Sequence, residues 1–470
     1  MQLNRLIKGA PKIEITNITD NVAKVQKGTL FIARKGTDAD GNQLIDSAVQ
    51  RGAVAIVSDR PGNTTVPTFV VSDVRAELCR LADEFWGRPQ DDLTIITVVG
   101  TNGKTTITRL IYQALTLLNK KAGVIGTLGA EWAGGKVETG LTTPGRIELT
   151  MLLNQMRRDG VKYVAIEASA HAIDQGRLQG ICADLTIFTN LTQDHLDYFE
   201  TMEAYAHAKQ SYFSDRNTSC AIVNVDDPLG RTIARQTDVP VITYGLDTPS
   251  DVFAIDVYDG TELTFVANVL DDVRKFATNL HGKFNVYNLL AVITALDALG
   301  MDAKDVENVV KRLTPVKGRY EVIDFDLGRA VVDYAHTPDA LQNILLALKL
   351  EGKGRLICVF GCGGNRDRKK RAIMGAIAER YADEVIITSD NPRTEDPNEI
   401  AADIVAGIKG PSKVIISRRA AIFHALDLCH GDTVLIAGKG AEEYIEVDGI
   451  KLPHSDVGTV KDWIGGKRYD

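Results

Sequence analysis

Apolar positions in this chain fall mostly into short, nearly continuous runs. Thr29-Leu30-Phe31-Ile32-Ala33 and Ala53-Val54-Ala55-Ile56-Val57 come first, with a helical-looking stretch around Ser47-Ala48-Val49 between them. They read as a small α/β unit that ends near Gly87-Arg88-Pro89-Gln90, where Gly and Pro punctuate a helix end. Leu93-Thr94-Ile95-Ile96-Thr97-Val98-Val99 follows and is rich in β-branched residues. Such a run is how a strand buried on both faces of a parallel sheet reads. Strand-like runs from Val161 to Ile166, Leu185 to Phe188 and Ala221 to Val225 alternate with helical patterns, the signature of a parallel α/β sheet. Pro315-Val316-Lys317-Gly318-Arg319 reads as a second linker. Beyond it, Ala330-Val331-Val332-Asp333, Leu356 to Phe360, Glu384 to Ile387 and Thr433 to Ala437 alternate with helices again, which predicts a Rossmann-like α/β domain. The expected domains are therefore 1–90, 91–315 and 316–470.

The length of 470 residues suits about three domains. Hydrophobic residues at 44% and charged residues at 25% match a globular chain rather than a disordered one. No apolar run reaches the roughly 18 residues of a membrane span, and Met1-Gln2-Leu3-Asn4-Arg5 opens no secretory signal. The expectation is a cytoplasmic monomer with no membrane insertion. Six scattered cysteines lack CxxC spacing and predict buried, reduced thiols. Cys358 and Cys362 straddle a strand end and a glycine turn, so no metal site is expected there. A formal net charge of -8 argues against nucleic-acid partners, which need a basic surface. It leaves small anions open, because local clusters such as Arg366-Asp367-Arg368-Lys369-Lys370-Arg371 decide that. Arg368 and Lys369 read as a solvated helix start; Arg366 reads as functional.

The strongest local signal is Gly100-Thr101-Asn102-Gly103-Lys104-Thr105-Thr106, directly after the buried strand and before a helical stretch from Ile107 to Leu118. Glycines let backbone N–H groups turn onto phosphate oxygens, and the helix N-terminus adds partial positive charge. Lys104 would reach the outer phosphates and Thr105 would offer a hydroxyl to Mg²⁺. This makes the central domain a P-loop ATPase domain with a mostly parallel sheet. Tyr163 to Glu167 is an apolar strand ending in a carboxylate, where a metal-holding acid belongs. Thr189-Asn190-Leu191-Thr192-Gln193-Asp194-His195-Leu196-Asp197 follows another strand, on the face where open α/β sheets bind ligands. Read bare, Lys209 in Tyr205-Ala206-His207-Ala208-Lys209 is a helix-surface lysine.

In these motifs the chain resembles the Mur ligases, and within them the branch that adds the third residue of the peptidoglycan peptide. Further shared stretches are Thr142-Thr143-Pro144, Glu167-Ala168-Ser169-Ala170-His171, Gly282-Lys283-Phe284-Asn285-Val286-Tyr287-Asn288 and Gly318-Arg319-Tyr320-Glu321. Asp333-Tyr334-Ala335-His336-Thr337-Pro338-Asp339, Gly361-Cys362-Gly363-Gly364-Asn365-Arg366-Asp367 and Asp390-Asn391-Pro392-Arg393 complete the set. The resemblance implies an N-terminal UDP-binding domain, a central ATPase domain and a mobile C-terminal domain. It implies that ATP phosphorylates the D-Glu side-chain carboxylate of UDP-MurNAc-L-Ala-D-Glu, and that a diamino acid's amine attacks the acyl phosphate. Thr105 and Glu167 would hold one Mg²⁺ and His195 a second, aided by Lys209 as a carbamate formed with CO₂. Asn288 would meet adenine, Arg319 the ATP phosphates and Asp333 the ribose. Thr142, Thr143, Ser169 and Arg177 would hold the UDP-sugar peptide. Arg366, Asp390, Asn391, Arg393, Gly438 and Glu442 would form the amino-acid pocket. Arg393 completes the Asp-Asn-Pro-Arg version that goes with meso-diaminopimelate, since a guanidinium takes a second carboxylate bidentately.

The chain departs from the family pattern at three places. Asn21-Val22-Ala23 precedes Val25-Gln26-Lys27-Gly28 where Asp-Ser-Arg is usual, Ala170 replaces a serine, and Ala441 replaces a histidine. Alternative readings are a lysine-adding, D-Ala-D-Ala-adding or folylpolyglutamate-type ligase, or a non-catalytic protein that binds the UDP-sugar peptide. A GTPase is disfavoured because Asn-Lys-x-Asp is missing.

Overall fold

A computed structural model describes residues 1–36, 40–62, 64–260 and 262–466. The chain divides into two compact units: 1–97, 119–186 and 212–220 form the first, and 98–118, 187–211 and 221–470 the second.

The first unit opens with an all-parallel four-stranded sheet, Asn17–Thr19, Thr29–Ala33, Ala53–Ser58 and Thr68–Val70. Its middle strands are buried because Leu30, Ile32, Ala55 and Val57 face the helix Val74–Trp86, while Phe31, Ala33 and Ile56 face the helix Ile45–Gln50. Gly87 ends the longer helix in the left-handed region (φ 68°), the common stop for a helix. The same unit carries Tyr163–Glu167 parallel to Ala122–Gly126, followed by the antiparallel strands Gly129–Trp132 and Gly135–Val137.

The second unit holds Ala221–Asn224, Val241–Gly245 and Val252–Asp259 in parallel, then Leu263–Val269 and Asp272–Thr278 as an antiparallel meander. The strands Thr94–Val99 and Leu185–Phe188 belong to an eleven-stranded, mostly parallel sheet. A further six-stranded sheet has the order Glu321–Phe325, Gly328–Asp333, Asp432–Ala437, Leu356–Phe360, Glu384–Ile387 and Lys413–Val414. Only its first pair is antiparallel. Helices cover both of its faces: Leu341, Ile344 and Leu345 pack on one, Ala421, Ile422 and Ala425 on the other.

Each apolar run predicted as a strand is one, within a residue or two at its ends. The meander 252–278 and the hairpin Tyr444–Val447 with Ile450–Pro453 add strands that the apolar runs do not reveal. The cysteines are all free. Cys79, Cys358, Cys362 and Cys429 are buried as expected, but Cys182 is exposed. Burial pushes the Cys358 and Cys362 thiols up to about 12, which disfavours the thiolate that metals require. No helix among the described residues is long and apolar enough to cross a membrane.

Candidate active site

In the second unit the chain leaves the buried strand Thr94–Val99 through Gly100 and enters the helix Lys104–Leu117 at Gly103, whose φ is 88°. A Cβ on Gly100 would fall 1.7 Å from Thr189 Oγ1, so only glycine lets the loop lie against that strand end. The loop is held by its neighbours. Thr101 N–H donates to Asn190 O (2.9 Å), Asn102 N–H to Asn190 Oδ1 (2.9 Å), and Thr189 Oγ1 to Asn102 O (2.7 Å). Asn102 Nδ2 donates to Asp339 Oδ2 at 2.9 Å. Thr105 and Thr106 sit in the first helical turn, with Thr105 buried.

Three cations converge on this loop. Lys104 Nζ donates to the carbonyls of Gly100 (2.9 Å) and Thr101 (2.8 Å). Arg319 Nη2 donates to Thr105 Oγ1 at 3.0 Å, and its guanidinium lies 4.2 Å from the centroid of Tyr334. Lys209 Nζ donates to Thr101 Oγ1 at 2.7 Å and lies 4.0 Å from the Tyr205 ring centroid. Lys209 is fully buried, which overturns its reading as a helix-surface lysine. The helix Met202–Gln210 turns that face inward because Tyr205 and Ala208 share it. Burial and the Lys104 charge hold the Lys209 amine well below the usual lysine range, against the opposing pull of Asp194 and Asp227.

His195 begins a short helix in the left-handed region (φ 56°), and its Nε2 lies 3.3 Å from Asp194 Oδ2. Asp194 is buried beside Lys370 (3.5 Å) and His336 (3.6 Å). Burial opposes its charge, but His336, Lys370 and His195 together hold its carboxyl well below the usual range. Asp194 lies in the Thr189–Asp197 stretch without a role assigned from sequence, and Lys370 is hidden in the basic run 366–371. The run splits as expected at Arg368, which pairs with Asp403 at the surface, whereas Lys370 and Arg371 are buried. Asn288 is buried on the helix Lys283–Ala298 and bonded to Asn285; a Cβ on Gly103 would lie 2.8 Å from its Oδ1. Asp333 ends its strand and accepts the N–H groups of Tyr320 and Ala335, each at 2.7 Å.

The same unit brings together the residues named for the amino-acid pocket. Asn391 Nδ2 donates to Glu442 Oε2 (3.0 Å), and Lys439 Nζ reaches both Asn391 Oδ1 and Glu442 Oε2 at 2.9 Å. A Cβ on Gly438 would fall 2.7 Å from Asp390 Oδ2. Arg393 takes φ 54° and pairs with Glu446 at 3.3 Å. Arg366 is half exposed, 3.7 Å from Asp197.

The first unit assembles the remaining predicted residues. Glu167 ends its strand with one carboxylate oxygen accepting Thr127 N–H (2.8 Å) and the other Thr127 Oγ1 (3.1 Å). Thr127 Oγ1 in turn lies 3.1 Å from Thr142 Oγ1. Thr143 Oγ1 donates to Glu167 O (2.6 Å) and accepts Ser169 N–H (3.1 Å), while Arg177 Nη1 donates to Thr143 O (2.8 Å). Thr127 was not singled out in the sequence, because a lone threonine after Gly126 carries no pattern.

Comparison with known proteins agrees with this geometry. Models for the Mur ligase family, catalytic domain (residues 14–81), the Mur ligase middle domain (98–296) and the Mur ligase, glutamate ligase domain (318–440) match in order. UDP-N-acetylmuramoyl-L-alanyl-D-glutamate--2,6-diaminopimelate ligase of Aquifex aeolicus is 42% identical, over 96% of this chain and 94% of its own. The protein of that name from Bacillus cereus is 40% identical, over 94% and 92%. A solved structure of a UDP-N-acetylmuramoyl-L-alanyl-D-glutamate--2,6-diaminopimelate ligase superposes with a TM-score of 0.70 at 33% identity, covering all of both chains. With the phosphate loop, the three successive domain matches and this full-length similarity, the chain belongs to the Mur ligase family.

Proposed function

We propose that this chain joins meso-diaminopimelate to the D-Glu side-chain carboxylate of UDP-MurNAc-L-Ala-D-Glu, an ATP-dependent step of peptidoglycan precursor synthesis in the cytoplasm. The carrying observation is the full-length similarity to 2,6-diaminopimelate ligases in a chain that also has Arg393 in Asp-Asn-Pro-Arg. In this reading residues 1–90 bind the UDP end, 91–315 bind ATP and 316–470 bind the amino acid.

A carboxylate is a poor electrophile, so phosphoryl transfer from ATP first supplies a leaving group and releases ADP. The amine, having lost a proton, then attacks the acyl carbon; the C–N bond forms and inorganic phosphate leaves. The chain's task is to bind, orient and stabilise charge on the transferring phosphoryl. Lys104 and Arg319 can exchange their carbonyl and hydroxyl partners for phosphate oxygens, with the loop 100–106 cradling the phosphates. Asn288 and Asp333 would meet the nucleoside, and Thr142, Thr143, Ser169 and Arg177 the UDP-sugar peptide.

Mg²⁺ usually takes one or two carboxylates and completes its shell with phosphate oxygens and water. The hydroxyl of Thr105 and the carboxylate of Glu167 would serve one Mg²⁺, and His195 would serve a second. Among the described residues no group of three His, Cys, Asp or Glu forms an all-protein metal cage. When bound, the ion neutralises charge across the phosphate oxygens. Lys209 suits carbamate formation, because only a neutral amine adds to CO₂ and its burial favours that form. The addition forms an N–C bond, releases a proton and leaves an anion able to help hold the metal.

Phosphate release from ATP and Mg²⁺ with UDP-MurNAc-L-Ala-D-Glu tests the proposal, with meso-diaminopimelate or L-lysine added in parallel. Release only with diaminopimelate is expected. Preference for lysine would overturn the choice of amino acid, and silence with both would overturn the ligase reading.

A further inference from the structure

Apart from the residues named for catalysis, the first unit holds a cavity of about 600 Å³, within the size range of small-molecule sites. Lys120 and Lys121 line it just before the strand Ala122–Gly126, and Lys162 lines it beside Tyr163, the first residue of Tyr163–Glu167. The cavity therefore lies at the amino ends of these parallel strands, whereas open α/β sheets bind their ligands at the carboxyl ends. Tyr163 and Glu167 are the two ends of one strand and stand about 13 Å apart.

Three carboxylates also line the cavity, and each has a partner in the protein. Asp91 takes Arg88 bidentately, Nε to Oδ2 at 2.6 Å and Nη2 to Oδ1 at 3.1 Å. Asp92 pairs with Arg157 at 3.1 Å, and Asp184 Oδ2 accepts Ile95 N–H at 2.7 Å. The lysines differ. Lys120, Lys121 and Lys162 are exposed, and none of their amines forms an ion pair among the described residues. The sheet keeps two of them on neighbouring strand starts, since Lys162 N–H donates to Lys121 O at 2.8 Å. In a chain of formal net charge -8, three ammonium groups thus surround one hollow whose carboxylates are already engaged.

We propose that this cavity is a binding site for a phosphorylated small molecule, a phosphomonoester on a body of sugar or nucleoside size. At neutral pH such a group carries close to two negative charges and three strong acceptor oxygens, which suits three amines. Lysine binds phosphate as a mobile point charge, so its long side chain can close on the ligand from the rim. Tyr163 offers an aromatic wall to the body of the ligand.

The test is calorimetric titration of the full-length enzyme with ribose 5-phosphate, after the phosphate loop has been saturated with a non-hydrolysable ATP analogue and Mg²⁺. Wild type should bind one equivalent, more weakly as salt rises. Lys120→Gln, Lys121→Gln and Lys162→Gln should each weaken binding roughly two- to fivefold, as exposed charge pairs do. The triple variant should lose on the order of tenfold or more. A control variant with the same charge change at the exposed Lys8, Lys304 and Lys311 should bind as wild type does. Phosphate release in the ligase assay should be unchanged in every variant, which shows that each is folded. No saturable binding by wild type, undiminished binding by the triple variant, or equal losses in the triple and control variants would each overturn the proposal.

Discussion

The phosphate loop and the proposed amino-acid pocket surround their cations differently. Around the loop, Lys104, Lys209 and Arg319 donate to carbonyl and hydroxyl oxygens. Around the pocket, Lys439 meets Glu442, Arg393 meets Glu446, and Arg418 is locked to Asp456 while donating to Ala437 O, at the end of the strand that precedes Gly438. Neutral oxygens are readily exchanged for phosphate, so the loop is prepared for a highly charged anion. Paired carboxylates must be displaced or shared, so the pocket selects among ligands by how well they replace an existing partner. Binding strength suits the first region and discrimination the second.

The largest test of this contrast is Lys209→Ala. Turnover should fall on the order of 100-fold or more, as when a group supporting transition-state charge is removed, and added bicarbonate should not restore it. Wild-type turnover would remove the reason for the carbamate. Next comes the buried pair beneath the pocket. Arg418→Ala leaves the buried Asp456 charge with only His454 of its two cationic partners, and urea unfolding should report a loss of about 3–5 kcal/mol.

That pair also predicts a pH dependence. Burial would raise the Asp456 carboxyl, but Arg418 and His454 more than offset it and hold it well below the usual range. Its contribution is therefore complete above the unfolded value of about 4 and is lost as pH falls through the folded value. The stability gap between wild type and Asp456→Asn should narrow in acid below about pH 4. A gap that widens there would reverse the sign and refute the pairing. Of smaller size, Arg393→Ala should cost roughly 1.5–3 kcal/mol in diaminopimelate binding, read as a raised KM for that substrate and not for ATP. Smallest is Lys317→Ala. It breaks a surface pair with Glu443 in which both side chains are more than half exposed, and should change stability by less than about 1 kcal/mol.

Much of this was legible in the sequence where burial on two faces left continuous apolar runs. Leu356–Phe360 and Glu384–Ile387 read correctly for that reason, as did the strand before Gly100. The meander 252–278 did not, because one of its faces is wet: Tyr258 and Val273 are exposed. Its tight turn also lacks the usual signal. Leu270 and Asp271 both take positive φ, where Asn-Gly or Asp-Gly is the common choice. The hairpin Tyr444–Val447 with Ile450–Pro453 does carry that signal, in Asp448-Gly449. Lys209 was legible only through family resemblance, since no local pattern says that a lysine near a helix end points inward.

The two-residue turn at Asp448-Gly449 has an evolutionary consequence. Such a turn fixes register, and side chains alternate along a strand, so a one-residue slip moves every side chain to the opposite face. Losing or gaining one residue between Asn391's partner and the turn would present Ile445 or Val447 to Arg393 in place of Glu446. The contact between this hairpin and the Asp390–Arg393 loop can therefore change in one discrete step of chain length, with the guanidinium and its loop untouched.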